Sequence, residues 1–243
     1  MQIEEGKARI ILDNGVEYKT NIIVDNLGDR SIDISKLRRD TGYITYDPGF
    51  VNTGSCMSSI CYINGEKGIL RYRGYDIEDL VKECDFIEVA YLLIKGALPN
   101  AEERFKYQEL LNKHSLLHVN MRDFFKSYPH DAHPMGILSA MVASLSAFYP
   151  ELEEKDPEEN IDLTVTRLLS KMRTIAAFTY RQMNGLDFVN PQYNLSYCAN
   201  FLNMMFFSSV NNYAPDPLHV KALNELLILH ADHEQNCSTS AVR

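Results

Sequence analysis

The chain begins with short apolar runs separated by turn residues and changes to a helical spacing of apolar positions at Asp76. In the first part, apolar runs flank Asp13-Asn14-Gly15 and again Asn64-Gly65. Apolar runs on either side of an Asn-Gly pair are typical of β-hairpins. We therefore predict a small β-rich region over residues 1–75.

Residues 76–243 carry the spacing of amphipathic helices, and most of the predicted helices follow a capping residue. Asn100 with Glu103 forms a capping box, and Gly96 is suited to end the helix before it. Gly185 is expected to end the longest helix. The pattern predicts a mainly α-helical domain whose helices begin near Asp76, Asp85, Asn100, Asn120, Met135, Asn160, Leu195 and Asp216.

The last predicted helix leads into the densest cluster of titratable residues, HADHE at residues 230–234. A histidine has a pKa near neutrality, so it can donate to a developing oxyanion or, as a cation, bind a carboxylate. The cluster lacks the His-Glu-x-x-His pattern of zinc proteases. The residues alone leave anion recognition, metal binding and a structural role at the helix end open. The apolar face expected for this helix contains Leu223, Leu226, Leu227 and His230.

Two further groups carry candidate chemistry. His130 and His133 flank Asp131 just before a buried helix, which favours a capping role. Arg167 and Lys171 are four residues apart on the long helix, where they could clamp a phosphate or simply face solvent. The acidic segment 151–159 before this helix is expected to be an exposed loop.

Composition narrows the classes of partner. Lys plus Arg number 24 and Asp plus Glu 33, and the net charge of −9 argues against a nucleic-acid backbone. The five cysteines include no CxxC pair, which favours reduced thiols in the cytoplasm and no metal site. The N-terminal residues have no apolar signal region. The most apolar stretch, residues 135–149, is short for a membrane span, so no membrane partner is expected.

Six segments carry a pattern found, in the same order, in one family: YDPGF (46–50), GILRYRGYDIEDL (68–80), DAHPMGILSAMVASLSAFY (131–149), RLLSKMRTIAA (167–177), LSYCANFLNMMF (195–206) and LLILHADHEQNCSTSAVR (226–243). Together they resemble citrate synthases of the Gram-negative bacterial type. This resemblance implies a large helical domain, incomplete here, preceded by the β-rich region 1–75. Residues 76–243 would be the helical part of the large domain, truncated before the small domain that closes over the substrates.

The resemblance also implies a reaction, in which oxaloacetate and acetyl-CoA form citryl-CoA and then citrate. Acetyl-CoA is a substrate, so no cofactor is expected. By resemblance, His233 contacts the oxaloacetate carbonyl and Asn236 lines the same pocket. The family's proton-abstracting aspartate, enol-stabilising histidine and carboxylate-binding arginines fall beyond Arg243. We therefore expect residues 1–243 alone to be inactive, as a truncated chain or a tryptic remnant would be.

Gram-negative members of the family are homo-oligomers, dimers or hexamers, and many are inhibited by NADH at a remote site. The positions that resemble this effector site are His114, Tyr149, Arg167 and Lys171. Two other functions remain open. One is 2-methylcitrate synthase, which uses propionyl-CoA in the same condensation, and the other is a non-catalytic helical binding domain on the same scaffold.

Overall fold

The structure is a computed structural model that describes residues 6–25, 27–149, 157–210, 213–232 and 234, without the side chains of 157–160. The chain forms two compact units, Met1–Ser58 and Ser59–Arg243. Within the described ranges it has nine helices and two small antiparallel sheets. The mainly α-helical fold with a small β-rich N-terminal region is therefore confirmed.

The first unit is built on a three-stranded antiparallel sheet in the order β1-β2-β3. Its strands are β1 (Lys7–Ile11), β2 (Glu17–Val24) and β3 (Arg30–Ile32), and a short helix, α1 (Leu37–Thr41), follows. Gly15 lies in the connection between β1 and β2 with a φ of +80°, a conformation that glycine adopts readily. The predicted hairpin around Asp13-Asn14-Gly15 is confirmed.

The second sheet belongs to the second unit. Its strands are β4 (Cys61–Asn64), β5 (Ile69–Tyr72) and β6 (Tyr75–Asp76), paired antiparallel in that order. The two units divide after Ser58, whereas the hydrophobic pattern grouped these strands with residues 1–75. The difference arises because Tyr72 is buried in one core with side chains from the helices that follow.

Helices make up most of the second unit, and Asp85 and Asn100 each form the capping box that their sequences favour. The Asn100 side chain accepts from the Glu103 amide at 2.9 Å, and the Asp216 carboxylate accepts from the Leu218 amide at 2.7 Å. The helices are α2 (Ile77–Glu83), α3 (Phe86–Lys95), α4 (Ala101–Lys113), α5 (Val119–Lys126), α6 (Pro134–Phe148), α7 (Pro157–Met183), α8 (Tyr197–Phe206) and α9 (Pro217–Leu229).

Two helix starts differ from the prediction. Helix α5 begins after His118, whose Nδ1 accepts from the Asn120 amide at 3.2 Å, so Asn120 lies inside the helix instead of capping it. Helix α7 begins at Pro157, earlier than the predicted Asn160, because proline suits the first helical position. Residues 157–159 are therefore helical and not part of an acidic loop, and 151–156 lie outside the described residues.

The core of the second unit is centred on α7, which packs against α4, α5, α6 and α8. No helix in the described ranges is long and apolar enough to cross a membrane. The largest buried cluster joins α5, α6 and α7 through Met121, Phe125, Ile137, Met141, Leu145, Ile175 and Phe178.

The buried face of α9 matches the predicted one only in part. Leu223 and Leu227 pack against the buried cluster that includes Ile87 and Tyr197, as predicted. Ile228 is fully buried against Tyr72, Val89 and Leu92, whereas Leu226 is 52% exposed and His230 is exposed. The prediction was wrong for Leu226 and His230 because the fully buried position is set by which side of α9 meets β5 and α3. The apolar residues of α9 alone are too evenly spread to determine that contact.

Candidate functional site

The HADHE segment lies at the carboxyl end of α9. His230 is the C-terminal capping residue of the helix, and its Nδ1 lies 2.7 Å from the Leu226 carbonyl oxygen. Its side chain is exposed, so His230 lies at the surface of the unit. The chain then turns through Ala231 and Asp232, which are partly buried.

Tyr72, at the end of β5, holds this turn from inside the core. Its side chain is completely buried, and its hydroxyl donates to the Asp232 carbonyl oxygen at 3.0 Å. The Tyr72 hydroxyl oxygen also accepts a hydrogen bond from the Asp232 amide at 3.3 Å. The carbonyl oxygens of Ile228 and Leu229 also lie within 3.5 Å of the hydroxyl. These carbonyls belong to the last turn of α9, where helical amide partners run out. The Ile228 carbonyl oxygen also accepts from the Ala231 amide at 3.2 Å.

Cys61 contacts the same turn from the neighbouring strand, because it pairs directly with Tyr72 in the β4–β5 register. Burial and a hydrogen bond with the Asp232 carboxylate raise the pKa of the Cys61 thiol to about 12. The thiol therefore stays protonated beside that carboxylate. Asp232 Oδ2 also accepts from the Glu234 amide at 3.3 Å, and Glu234 has a φ of +59°.

The two residues expected to contact oxaloacetate, His233 and Asn236, lie outside the described residues. The structure does describe Asp232 and Glu234, the residues on either side of His233. Asp232 is held by Tyr72 and Cys61, two partners far away in sequence. The backbone leading to His233 is thus fixed by contacts with the β4–β5 hairpin.

The four residues expected at an effector site lie close together. His114 ends α4, Tyr149 ends α6, and Arg167 and Lys171 lie one turn apart on α7. Lys171 Nζ lies 4.3 Å from the centre of the Tyr149 ring, and Arg167 Cζ lies 5.4 Å from it. Two helix ends and one helix face therefore bring two cations, an aromatic ring and a histidine together.

Lys171 is buried, with 3% of its surface exposed, so it does not lie on a solvated helix face. Its ammonium group donates to the carbonyl oxygens of His114 at 2.9 Å and Leu116 at 2.6 Å. These carbonyls follow the end of α4, where helical amides are missing. Lys171 thus joins α7 to the α4–α5 connection, a role that the sequence spacing did not indicate.

The cluster around His114 carries positive charge from Arg167, Lys171 and Lys113. Burial lowers the pKa of His114 from its ordinary value, and the charges of Arg167, Lys171 and Lys113 lower it further. Like charges at close range disfavour protonation of the imidazole. A bound anion would relieve this repulsion, so the arrangement is chemically suited to a phosphate or carboxylate.

The remaining histidine cluster has structural contacts. His133 caps α6, since its Nδ1 accepts from the Met135 amide at 3.2 Å, and this confirms the predicted capping role. His130 Nδ1 lies 2.6 Å from the Gln182 carbonyl oxygen near the end of α7. In the ranges that the structure describes, no three His, Cys, Asp or Glu side chains converge as metal binding would require.

Tyr72 is the residue of this region that sequence reasoning missed. The only signal available was its place in the segment GILRYRGYDIEDL, between a predicted turn and a predicted helix. Its contact with Asp232 spans 160 positions of the sequence. Periodicity and capping rules act over a few residues and carry no information about such a contact.

Comparison with known proteins gives consistent matches. A sequence model described as citrate synthase, C-terminal domain, matches residues 49–243. Citrate synthase from Pyrobaculum aerophilum is 34% identical with a TM-score of 0.71, over 91% of this chain and 52% of that one. Citrate synthase from Thermotoga maritima MSB8 is 26% identical with a TM-score of 0.68, over 81% and 49% respectively.

A third structure is citrate synthase from Thermoplasma acidophilum, in a ternary complex with carboxymethyl coenzyme A and oxaloacetate. It is 27% identical with a TM-score of 0.72, over 81% of this chain and 50% of that one. The chain spans about half the length of these structures. Since the sequence model covers most of the chain, the chain belongs to the citrate synthase family.

Proposed function

We propose that this chain is part of a citrate synthase of the Gram-negative bacterial type, which condenses oxaloacetate with acetyl-CoA and hydrolyses citryl-CoA to citrate and CoA. The observation that carries the proposal is the similarity to a citrate synthase bound to oxaloacetate and a CoA analogue, at a TM-score of 0.72. The HADHE segment at the end of α9 supplies histidine side chains of the type this reaction requires.

In this proposal His233 donates a hydrogen bond to the oxaloacetate carbonyl, and Asn236 lines the same pocket. Carbon–carbon bond formation places negative charge on that carbonyl oxygen, so a positioned donor stabilises the transition state more than the ground state. Such a donor stabilises the transition state most effectively when the backbone of its residue is already held in place. The contacts of Tyr72 and Cys61 with Asp232 support such preorganisation.

Residues 1–243 by themselves are proposed to be inactive. The reaction needs a carboxylate base and a second histidine, and the segments that resemble the family supply neither of them. Groups that act as a unit in catalysis lose most of their effect when one is absent. The enzyme is further proposed to act in the cytoplasm as a homo-oligomer, a dimer or a hexamer, which light scattering of the purified protein would measure.

The test is a CoA-release assay on the full protein that the gene encodes and, in parallel, on residues 1–243. Oxaloacetate is supplied with either acetyl-CoA or propionyl-CoA. We expect turnover with acetyl-CoA in the full protein only. A preference for propionyl-CoA in kcat/KM would instead identify a 2-methylcitrate synthase, and no turnover with either would favour a non-catalytic helical binding domain.

We also propose that His114, Tyr149, Arg167 and Lys171 form an effector site for NADH. The supporting observation is the convergence of cationic groups around Tyr149, within 5.4 Å of its ring centre. A dinucleotide offers a pyrophosphate for the cations and aromatic rings for stacking. Its binding would act on the ends of α4 and α6 and on the face of α7 that carry these residues.

A further inference from the structure

The turn that contains Asp232 is held by Tyr72, a fully buried residue of the core. Tyr72 has a fully buried ring, and burial raises the pKa of its phenol, so its hydroxyl keeps its proton. With that proton it donates to the Asp232 carbonyl oxygen at 3.0 Å, and its lone pair accepts from the Asp232 amide at 3.3 Å. One hydroxyl thus binds both backbone polar groups of a single residue.

This double contact restrains the orientation of the Asp232 peptide groups. A single hydrogen bond leaves the chain free to rotate about it, whereas a donor and an acceptor on the same residue remove much of that freedom. The next peptide bond leads to His233. The direction in which the backbone leaves Asp232 therefore depends on the Tyr72 hydroxyl.

The ring itself is held rigidly. Tyr72 packs with Leu80, Val89, Leu92 and Ile228 in one buried cluster formed by β5, α2, α3 and α9. Close-packed side chains have little freedom to move, so the hydroxyl occupies a fixed position in the unit. Cys61 lies directly opposite Tyr72 on β4, and its thiol is close enough to the Asp232 carboxylate for that charge to raise the thiol pKa.

We propose that Tyr72 is a positioning residue for oxaloacetate binding, acting through the Asp232 backbone on His233. This inference rests on the proposed function, because it assumes that His233 meets oxaloacetate. Reaction rates are sensitive to small displacements of a catalytic donor, and a shift of about 1 Å can cost roughly a hundredfold. Removing the Tyr72 hydroxyl should therefore impair the use of oxaloacetate by more than a loss of protein stability alone would explain.

The experiment compares Tyr72→Phe with Tyr197→Phe in the full protein. Tyr197 is a matched control, since it is also buried and its hydroxyl donates to a helix carbonyl, Leu169, at 2.8 Å. We expect Tyr72→Phe to raise the KM for oxaloacetate and lower kcat/KM about tenfold or more, with the KM for acetyl-CoA within twofold of wild type. Tyr197→Phe should lower the Tm but leave both KM values unchanged.

The result that overturns the inference is an oxaloacetate KM and kcat/KM within twofold of wild type in Tyr72→Phe. If that variant does not fold, Cys61→Ala tests the same turn by removing the thiol beside the Asp232 carboxylate. An unchanged oxaloacetate KM there would also overturn the inference. Failure of the proposed function is a separate result, because it would appear as a wild-type protein that releases no CoA.

Discussion

Lys171 Nζ lies 4.3 Å from the centre of the Tyr149 ring and donates hydrogen bonds to two carbonyl oxygens of the α4–α5 connection. An ammonium group has three N–H donors, so two of them are used within the protein and the third side faces an aromatic ring. Lys171 therefore has a structural function in addition to any contribution of its charge to an effector site. Arg167, one turn away, is only partly buried.

Replacement of Lys171 by methionine should destabilise the second unit. The carbonyl oxygens of His114 and Leu116 would lose a charged donor, which costs about 2–3 kcal/mol when the acceptors are sheltered. Urea unfolding followed by circular dichroism would measure the loss. Lys113→Met is the control, because Lys113 is exposed and should change stability by less than about 0.5 kcal/mol. Equal stability of the two variants would contradict the structural role.

Arg167→Ala should weaken NADH binding about tenfold or more. A guanidinium binds phosphate oxygens with charge-assisted hydrogen bonds, and one such contact contributes about 1.5–3 kcal/mol. Isothermal titration calorimetry on the full protein gives the Kd directly. Lys106→Ala is the control. Lys106 is an exposed cation on α4, outside the proposed site, and its replacement should leave the Kd unchanged. A Kd within twofold of wild type in Arg167→Ala would remove this cluster as the NADH site.

Binding of NADH should depend on pH through His114. The pKa of His114 is lowered by burial and by nearby cations, so without ligand the imidazole is mostly neutral at pH 7. A bound pyrophosphate favours the protonated form, and the Kd should therefore fall as pH decreases from about 8 to about 6. His114→Gln should flatten this dependence. A wild-type Kd that does not vary over this range would show that His114 takes no part.

The lowered pKa of His114 also makes the stability of the ligand-free protein depend on pH, and here a fall in pH is unfavourable. A histidine with a lowered folded-state pKa contributes stability above its unfolded pKa, and that contribution is lost as pH falls. Wild-type protein should thus lose more stability than His114→Gln between pH 7 and pH 5.

His233→Ala should lower kcat/KM for oxaloacetate by about 100- to 1,000-fold, the usual effect of losing a donor to a developing oxyanion. Steady-state kinetics on the full protein would measure it. His230→Ala is the control within the same segment, because the His230 side chain is exposed at the end of α9. It should stay within a few-fold of wild type, and equal losses in the two variants would mean that His233 acts only through structure.

Arg181→Met should destabilise the packing of α7 on α8. The Arg181 guanidinium is buried, with 5% of the residue exposed, and donates to the carbonyl oxygens of Met205 at 3.0 Å and Phe207 at 3.2 Å. These carbonyls end α8 and have no helical donor. We expect a loss of about 3 kcal/mol in urea unfolding, with Arg181→Lys retaining part of the stability. A loss below about 1 kcal/mol would contradict this role.

The sequence by itself determined the local structure and the family resemblance. The hairpin around Asn14-Gly15, the capping box at Asn100 and the helix start at Asp216 all follow from interactions within about four residues. Such interactions are almost the same in any surrounding structure, so short patterns predict them. The order of the six segments that resemble citrate synthases pointed to the family, and the match over residues 49–243 agrees with it.

Only the tertiary structure decided which face of each helix is buried and what the buried polar groups contact. Ile228 and not Leu226 faces the core, and Lys171 donates to carbonyls 55 and 57 positions away. Tyr72 reaches Asp232 across 160 positions. Each of these contacts depends on how distant elements pack, and a buried hydroxyl or ammonium is stable only where that packing supplies its partners. The physical reason is that burial and partner choice are properties of the assembled core, whereas turns and caps are properties of the local chain.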